Sequence, residues 1–208
     1  MQISIKQLAL ESQLDGKEKD ELELVIIARL DDLSKLKALN LDIEAQEQYT
    51  IKRPNGEVRV RKADDEYELT TKWWEPGVVG KKESECACSE DQFICFKKIC
   101  DNGMIKDRYH YPLHQFKGVW NELKPDAPYE GALVLEIDVF KDTEGSERPY
   151  VKIDLEYPKY YPITIEQMLS FLPDVGFTEI LHKQWNERTE EEARQVAMIY
   201  NEHFTVKP

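Results

Sequence analysis

Period-two alternation of apolar and charged residues dominates this chain, and it marks β-strands whose two faces meet different surroundings. In ELELVIIARL, Glu21 and Glu23 alternate with Leu22, Leu24 and Ile26. LVLEIDVF alternates Glu136 and Asp138 with Leu135, Ile137 and Val139, and YVKIDLEY alternates Lys152, Asp154 and Glu156 with Val151, Ile153 and Leu155. Further strands are expected at about 46–52, 57–62 and 66–73, joined by the turn Pro54-Asn55-Gly56 and the polar Ala63-Asp64-Asp65. There Arg59 and Arg61 oppose Val58 and Val60, while Glu68 and Lys72 oppose Tyr67 and Leu69. KKESECAC places Glu83 and Glu85 on one parity, and MIKDRYHY does the same for Lys106, Arg108 and His110. The total is about eight strands in an antiparallel arrangement.

Helices are fewer. One is expected from Leu30 to Leu39, one over 90–100 with a Ser89–Gln92 capping box, and one at about 165–172 with Thr164 and Gln167 as its box. The last starts at Thr189, answered by Glu192, and its stripe of Ala193, Val196, Ala197, Tyr200 and Phe204 predicts packing against the outside of the sheet. HQFKGVWNELKPDAP, with its two prolines, reads as a connector.

Composition narrows the function. With 41 acidic against 28 basic side chains in 208 residues, the net charge of -13 disfavours binding to duplex nucleic acid or anionic membrane. A single domain spanning 1–208 is expected, with its core at about 21–183, an N-terminal extension at 1–19 and a C-terminal helix at about 190–204. No run is long and apolar enough to span a membrane, and the first residues lack a secretion-signal pattern, so the expectation is a soluble, cytoplasmic protein. Cys86, Cys88, Cys95 and Cys100 fall close together but without paired C-x2-C knuckles, which favours reduced structural thiols over zinc.

The charged positions are unusual for a solvated sheet face, which would mix Thr, Ser, Gln and Lys. Acids come instead as E-x-E, E-x-D and D-x-E, and cations as R-x-R and K-x-R, on separate strands. If the sheet closes on itself, these positions line an interior. Carboxylates crowded there repel unless cations neutralise them, and oxygen-bound divalent metal ions do so efficiently. The basic strands then call for an anionic occupant, and guanidinium groups match phosphate oxygens bidentately.

In chain order, Glu21-Leu-Glu23, Arg59-Val-Arg61, the ELTTK segment ending at Lys72, Glu83-Ser-Glu85, Lys106-Asp-Arg108, Glu136-Ile-Asp138 and Asp154-Leu-Glu156 resemble the CYTH superfamily, the triphosphate tunnel metalloenzymes. LPDVGFTEIL is similar to the segment that follows that family's last acidic strand. The resemblance implies an α+β fold, an eight-stranded antiparallel β-barrel forming a tunnel with helices packed outside, that cleaves triphosphate-containing small molecules with Mg2+ or Mn2+. It implies metal binding by Glu21, Glu23, Asp154 and Glu156, with Glu83, Glu85, Glu136 and Asp138 assisting there or orienting cations. Arg59, Arg61, Lys72, Lys106 and Arg108 would hold phosphates, with Lys152 and Lys183 as further candidates. Glu21, Glu23 and Lys72 would form the catalytic centre.

One position departs from the pattern. The family's first strand usually reads E-x-E-x-K, and this chain has Val25 at the fifth position, followed on the same face by Ile27. Either another cation such as Lys152 substitutes, or the tunnel binds without cleaving. Three functions stay open: a metal-dependent triphosphatase, an adenylyl cyclase using a ribose hydroxyl as nucleophile, and a non-catalytic binder of nucleotide, polyphosphate or RNA 5'-triphosphate. Trp73 and Trp74 are expected to pack or to rim the tunnel, and His110 and His182 are given no role.

Overall fold

The alternating segments become the long strands β2 (Glu21–Arg29), β3 (Asp42–Arg53), β4 (Gly56–Ala63), β5 (Glu66–Trp73), β6 (Lys82–Ala87), β7 (Asn102–Pro112), β8 (Val134–Lys141) and β9 (Glu147–Pro158). The structure, a computed structural model, describes residues 17–18, 21–73, 82–113, 134–158, 165–181 and 189–208. Trp74, Thr164, His182, Lys183 and the connector at 114–128 lie outside them, as do the side chains of Glu21, Glu23 and Glu156.

With β1 (Lys17–Glu18) and β10 (Thr178–Leu181) added, all neighbouring strands are antiparallel, in the order β1-β6-β5-β4-β3-β7-β8-β9-β2-β10. The two strands beyond the expected eight are the edges β1 and β10, which are too short to carry a legible period. Instead of a ladder closed by hydrogen bonds, the described residues form an open one whose ends are tied covalently. Glu18 pairs with Lys82 of β6 and Glu21 pairs with Pro158 of β9, yet only residues 19 and 20 separate them. Three residues reach at most about 11 Å, so the two ends of the sheet must lie side by side. The sheet is rolled, with a convex and a concave face.

The convex face is dry. Leu24, Ile26 and Ala28 of β2 join Leu135, Ile137, Val139, Val151, Ile153 and Leu155 beneath Leu36 of α1 (Ser34–Ala38) and Met168 of α3 (Ile165–Phe171). On the other half of the roll, Tyr49, Ile51 and Val60 pack against Phe93 of α2 (Glu90–Lys97). The Ser89–Gln92 capping box forms as expected. Helix α1 is shorter than the pattern implied because Leu30 still hydrogen-bonds to Pro149 O across the sheet and Asp32 accepts from the Ser34 amide, delaying the helix start. The four cysteines are free thiols, and burial pushes the Cys100 thiol up to about 11.

The C-terminal helix corrects an expectation. α4 (Glu190–Ile199) begins at the Thr189–Glu192 box and runs into a π-helical turn, Tyr200–Phe204. It packs on the concave face: Val196, Ile199 and Phe204 cluster with Ile27 and Phe140, flanked by Met104 and Tyr150. The Phe140 and Phe204 rings stack with centroids 3.9 Å apart. Ala193 and Ala197 of the anticipated stripe are exposed, and Ile199 is buried in their stead. The five-residue spacing of the π turn keeps Phe204 aligned below Ile199. The cause lies in the sheet. Ile27, Met104, Phe140 and Tyr150 share parity with Glu23, Lys106, Asp138 and Lys152, so the inward stripe of four strands turns apolar toward one end.

Val206 completes the cover by exchanging two backbone hydrogen bonds with Gly103, 2.8 and 2.9 Å long, beyond the end of β8. Gly103 has no room for a side chain, since a Cβ there would collide with the Tyr49 ring. We expect Phe204→Ala to cost about 3–5 kcal/mol in chemical denaturation, the usual loss for a buried aromatic. An unchanged midpoint would contradict this packing.

Candidate functional site in the concave face

The roll encloses a cavity of about 610 Å³ lined from β3 through β9 and by the C-terminal segment. Its wall carries seven acidic and seven basic side chains, so charge is balanced among the described residues. The balance is local, set by strand register.

On one side, β4 and β5 place Arg59 opposite Thr70, Arg61 opposite Glu68, and Glu57 opposite Lys72, while β6 sets Glu83 opposite Lys72 and Glu85 opposite Thr70. Arg61 donates to Glu68 at 2.9 Å, and Lys72 Nζ stands 3.0 Å from Glu83. Arg59 donates to Thr70 Oγ1 at 3.1 Å and lies 3.6 Å from Glu83 and 3.8 Å from Glu85. Burial, with Arg61 alongside, lowers the Arg59 guanidinium from its ordinary value. Burial acting alone would raise the Glu83 carboxyl; Lys72 and Arg59 outweigh it and hold that group low.

On the other side, Asp138 is fully buried and gathers cations from two strands. Lys106 Nζ lies 2.5 Å from Asp138 Oδ2, and Arg108 donates to both carboxylate oxygens at 2.8 and 3.2 Å while reaching Glu136 at 2.6 Å. Lys152, opposite Asp138 in register, is 2.6 Å from Asp154. Burial would raise the Asp138 carboxyl, but Lys106, Arg108 and Lys152 hold it well below the carboxylate range. Burial brings the Lys106 ammonium down to about 8, with Arg108 and Lys152 adding to the effect of burial against Asp138. For Arg108 burial is likewise the largest influence, and the hydrogen bonds to Asp138 overcome it and raise the guanidinium.

The structure thus brings Arg59, Arg61, Lys72, Lys106, Arg108 and Lys152 to one cavity with Glu83, Glu85, Glu136, Asp138 and Asp154. It changes the picture of how the carboxylates are neutralised. Among the described residues, no group of three or more Asp, Glu, His or Cys side chains is arranged to hold a metal ion; the lumen's own cations meet these acids. For Glu21, Glu23 and Glu156 the backbone register remains: Glu23 stands opposite Glu156, and Val25 opposite Asp154. Lys152 is opposite Ile27, two positions along from Val25. His110 lies 3.7 Å from Glu44 at the cavity edge.

Sequence reasoning missed Gln48, Thr50 and Asn102 on the wall, whose neutral side chains do not stand out from a solvated strand, and Tyr200, Asn201 and Thr205 from the C-terminal segment. The readable signal for the last three was the run of apolar residues ending four inward stripes. It showed that something covers that end.

By sequence, no family model and no curated protein matches the chain. Solved structures similar to it include the inorganic triphosphatase NE1496, at 18% identity and a TM-score of 0.47 over 83% of this chain and 93% of that one. An adenylate cyclase candidate from Bacillus halodurans matches at 12% identity and a TM-score of 0.48, covering 84% of this chain and 98% of that one. The adenylyl cyclase candidate HpAC1 from Hippeastrum, which has a dominant triphosphatase activity, matches at 14% identity and 0.41, covering 85% and 96%.

Asp138→Asn would leave buried cations without their carboxylate. We expect a loss of about 3–5 kcal/mol in equilibrium denaturation, as when one partner of a buried pair is removed. A loss near zero would show that the cations are compensated elsewhere.

Proposed function

We propose that the cavity binds the triphosphate portion of a small molecule together with divalent metal ions and hydrolyses it. The observation that carries this reading is the paired wall. Six of its seven described cations, on β4, β5, β7 and β9, are each paired with a carboxylate. A polyanion that engages Arg59, Arg61, Lys72, Lys106 and Arg108 releases those carboxylates from their partners. Positive charge must enter with it, and metal ions bound by oxygen ligands supply that charge.

The residues fit such an ion. Register sets Glu23 opposite Glu156, an unfavourable like-charge pair unless a cation joins it, and Asp154 lies on the same strand as Glu156, buried at 2% exposure. Carboxylate oxygens suit Mg2+ or Mn2+. Glu21, Glu23, Asp154 and Glu156 would hold the ion, which when bound offsets phosphate charge and acidifies a nearby water. Arg59 and Arg61 orient one portion of the triphosphate through fixed guanidinium donors, and Lys106 and Arg108 another. Glu83, Glu85 and Asp138 keep those cations in position between turnovers. Lys152 takes the place of the lysine absent at Val25, since it is the cation two positions along on the neighbouring strand.

Val25 favours a second reading, binding without turnover. The two are separated by phosphate release from tripolyphosphate, ATP, GTP and thiamine triphosphate with Mg2+, Mn2+ or EDTA. We expect release with metal, none with EDTA, and none from Glu21→Gln. Arg59→Ala should weaken triphosphate binding at least about tenfold, the loss of a charge-assisted hydrogen bond. Tight binding with no release from any substrate would establish the second reading, and no binding at all would overturn both.

A further inference from the structure

Tyr200, Asn201 and Thr205 face the same cavity as Arg59 and Lys106, yet triphosphate binding gives them no task. Their chemistry differs from the surrounding wall. Where β3, β4, β5, β7 and β9 present ammonium and guanidinium groups, this segment presents a phenol, an amide and a hydroxyl, and Thr50 and Asn102 add uncharged polar groups from β3 and β7. Charged donors form hydrogen bonds to phosphate about twice as strong as neutral ones, so phosphate groups settle against the cations. Neutral donors and acceptors are left for uncharged polar atoms such as sugar hydroxyls or ring nitrogens.

Space and rigidity agree. The volume of about 610 Å³ lies within the range of roughly 300–1,000 Å³ that sites for drug-sized organic ligands occupy. The segment is pinned by the Phe140–Phe204 stack, by the Gly103–Val206 bonds, and by Arg148 donating to Glu202 O at 2.9 Å. Thr205 Oγ1 donates to Tyr200 O at 2.9 Å, fixing the turn from within. Tyr200 and Asn201 sit at the start of a π-helical turn, a local form that recurs at functional sites.

Resting on the triphosphate reading above, we infer that Tyr200 and Asn201 contact the organic group attached to the triphosphate, and that the substrate is a compact organic triphosphate carrying hydrogen-bonding atoms. Inorganic tripolyphosphate would occupy the cationic part of the cavity and leave this patch unused.

Calorimetric titration with Mg2+ tests the inference on the wild-type chain, Asn201→Ala and Tyr200→Phe. Tripolyphosphate is the bare-phosphate probe, and ATP, GTP and thiamine triphosphate are the organic probes. The wild type should bind at least one organic probe more tightly than tripolyphosphate. Asn201→Ala should weaken that probe about three- to tenfold, the loss of one neutral hydrogen bond, and leave tripolyphosphate within about twofold. Tyr200→Phe, which keeps the ring, should act in the same direction. Equal losses for both kinds of probe would mean a merely structural role, and tripolyphosphate binding more tightly than every organic probe would overturn the inference while sparing the triphosphate reading. If the wild type binds no probe, the triphosphate reading falls, and the inference with it.

Discussion

A charge withdrawn from bulk water must meet an opposite charge, and this chain meets that requirement by strand register. Lys72 faces Glu83 and Arg61 faces Glu68 because adjacent strands place them opposite one another. Asp138 can be fully buried because β7 and β9 deliver Lys106, Arg108 and Lys152 to it. A slip of one residue in any of these ladders would turn an entire charged stripe toward the apolar convex side. The charge pairing and the dry outer core therefore specify the same register. Each reinforces the other.

The pairing also explains why the cavity holds its shape. Buried ion pairs contribute little net stability compared with apolar packing, but breaking one leaves an expensive orphan. Thr70 shows how the geometry is kept: it accepts from Arg59 and donates to Glu68, so one hydroxyl aligns a cation and an acid from neighbouring strands. Cations held this way have little freedom left to lose, which is the physical content of preorganisation.

The eight long strands were legible because each carries several repeats of a two-residue period, and the Ser89 and Thr189 helix starts because a capping box is a local signature. The cation positions Arg59, Arg61, Lys72, Lys106 and Arg108 were legible for the same reason as the strands: parity assigns a face without knowledge of the partner. The edges were not, since Lys17–Glu18 is too short for any pattern. Nor was the seat of the C-terminal helix. An amphipathic stripe states that a helix has an apolar side, not which of two surfaces receives it. That depends on Ile27, Met104, Phe140 and Tyr150 coinciding in space, and they are spread over four strands whose register the sequence does not state. Val25 belongs to the same transition, one inward position before the apolar end of β2.

The bond between Gly103 and Val206 has a consequence for how the molecule comes into being. The hairpins from β3 to β6 join residues close in sequence, whereas this contact closes a loop of about a hundred residues and carries a correspondingly large entropic cost. During synthesis the meander can assemble while the residues that will line the far part of the cavity are still within the ribosome. The end of the cavity formed by the C-terminal segment is then the last part of the molecule to be finished, and a chain stalled before residue 200 would display most of the sheet with its inner apolar end uncovered. Such an intermediate offers chaperones a hydrophobic patch on the inside of a roll rather than on its rim.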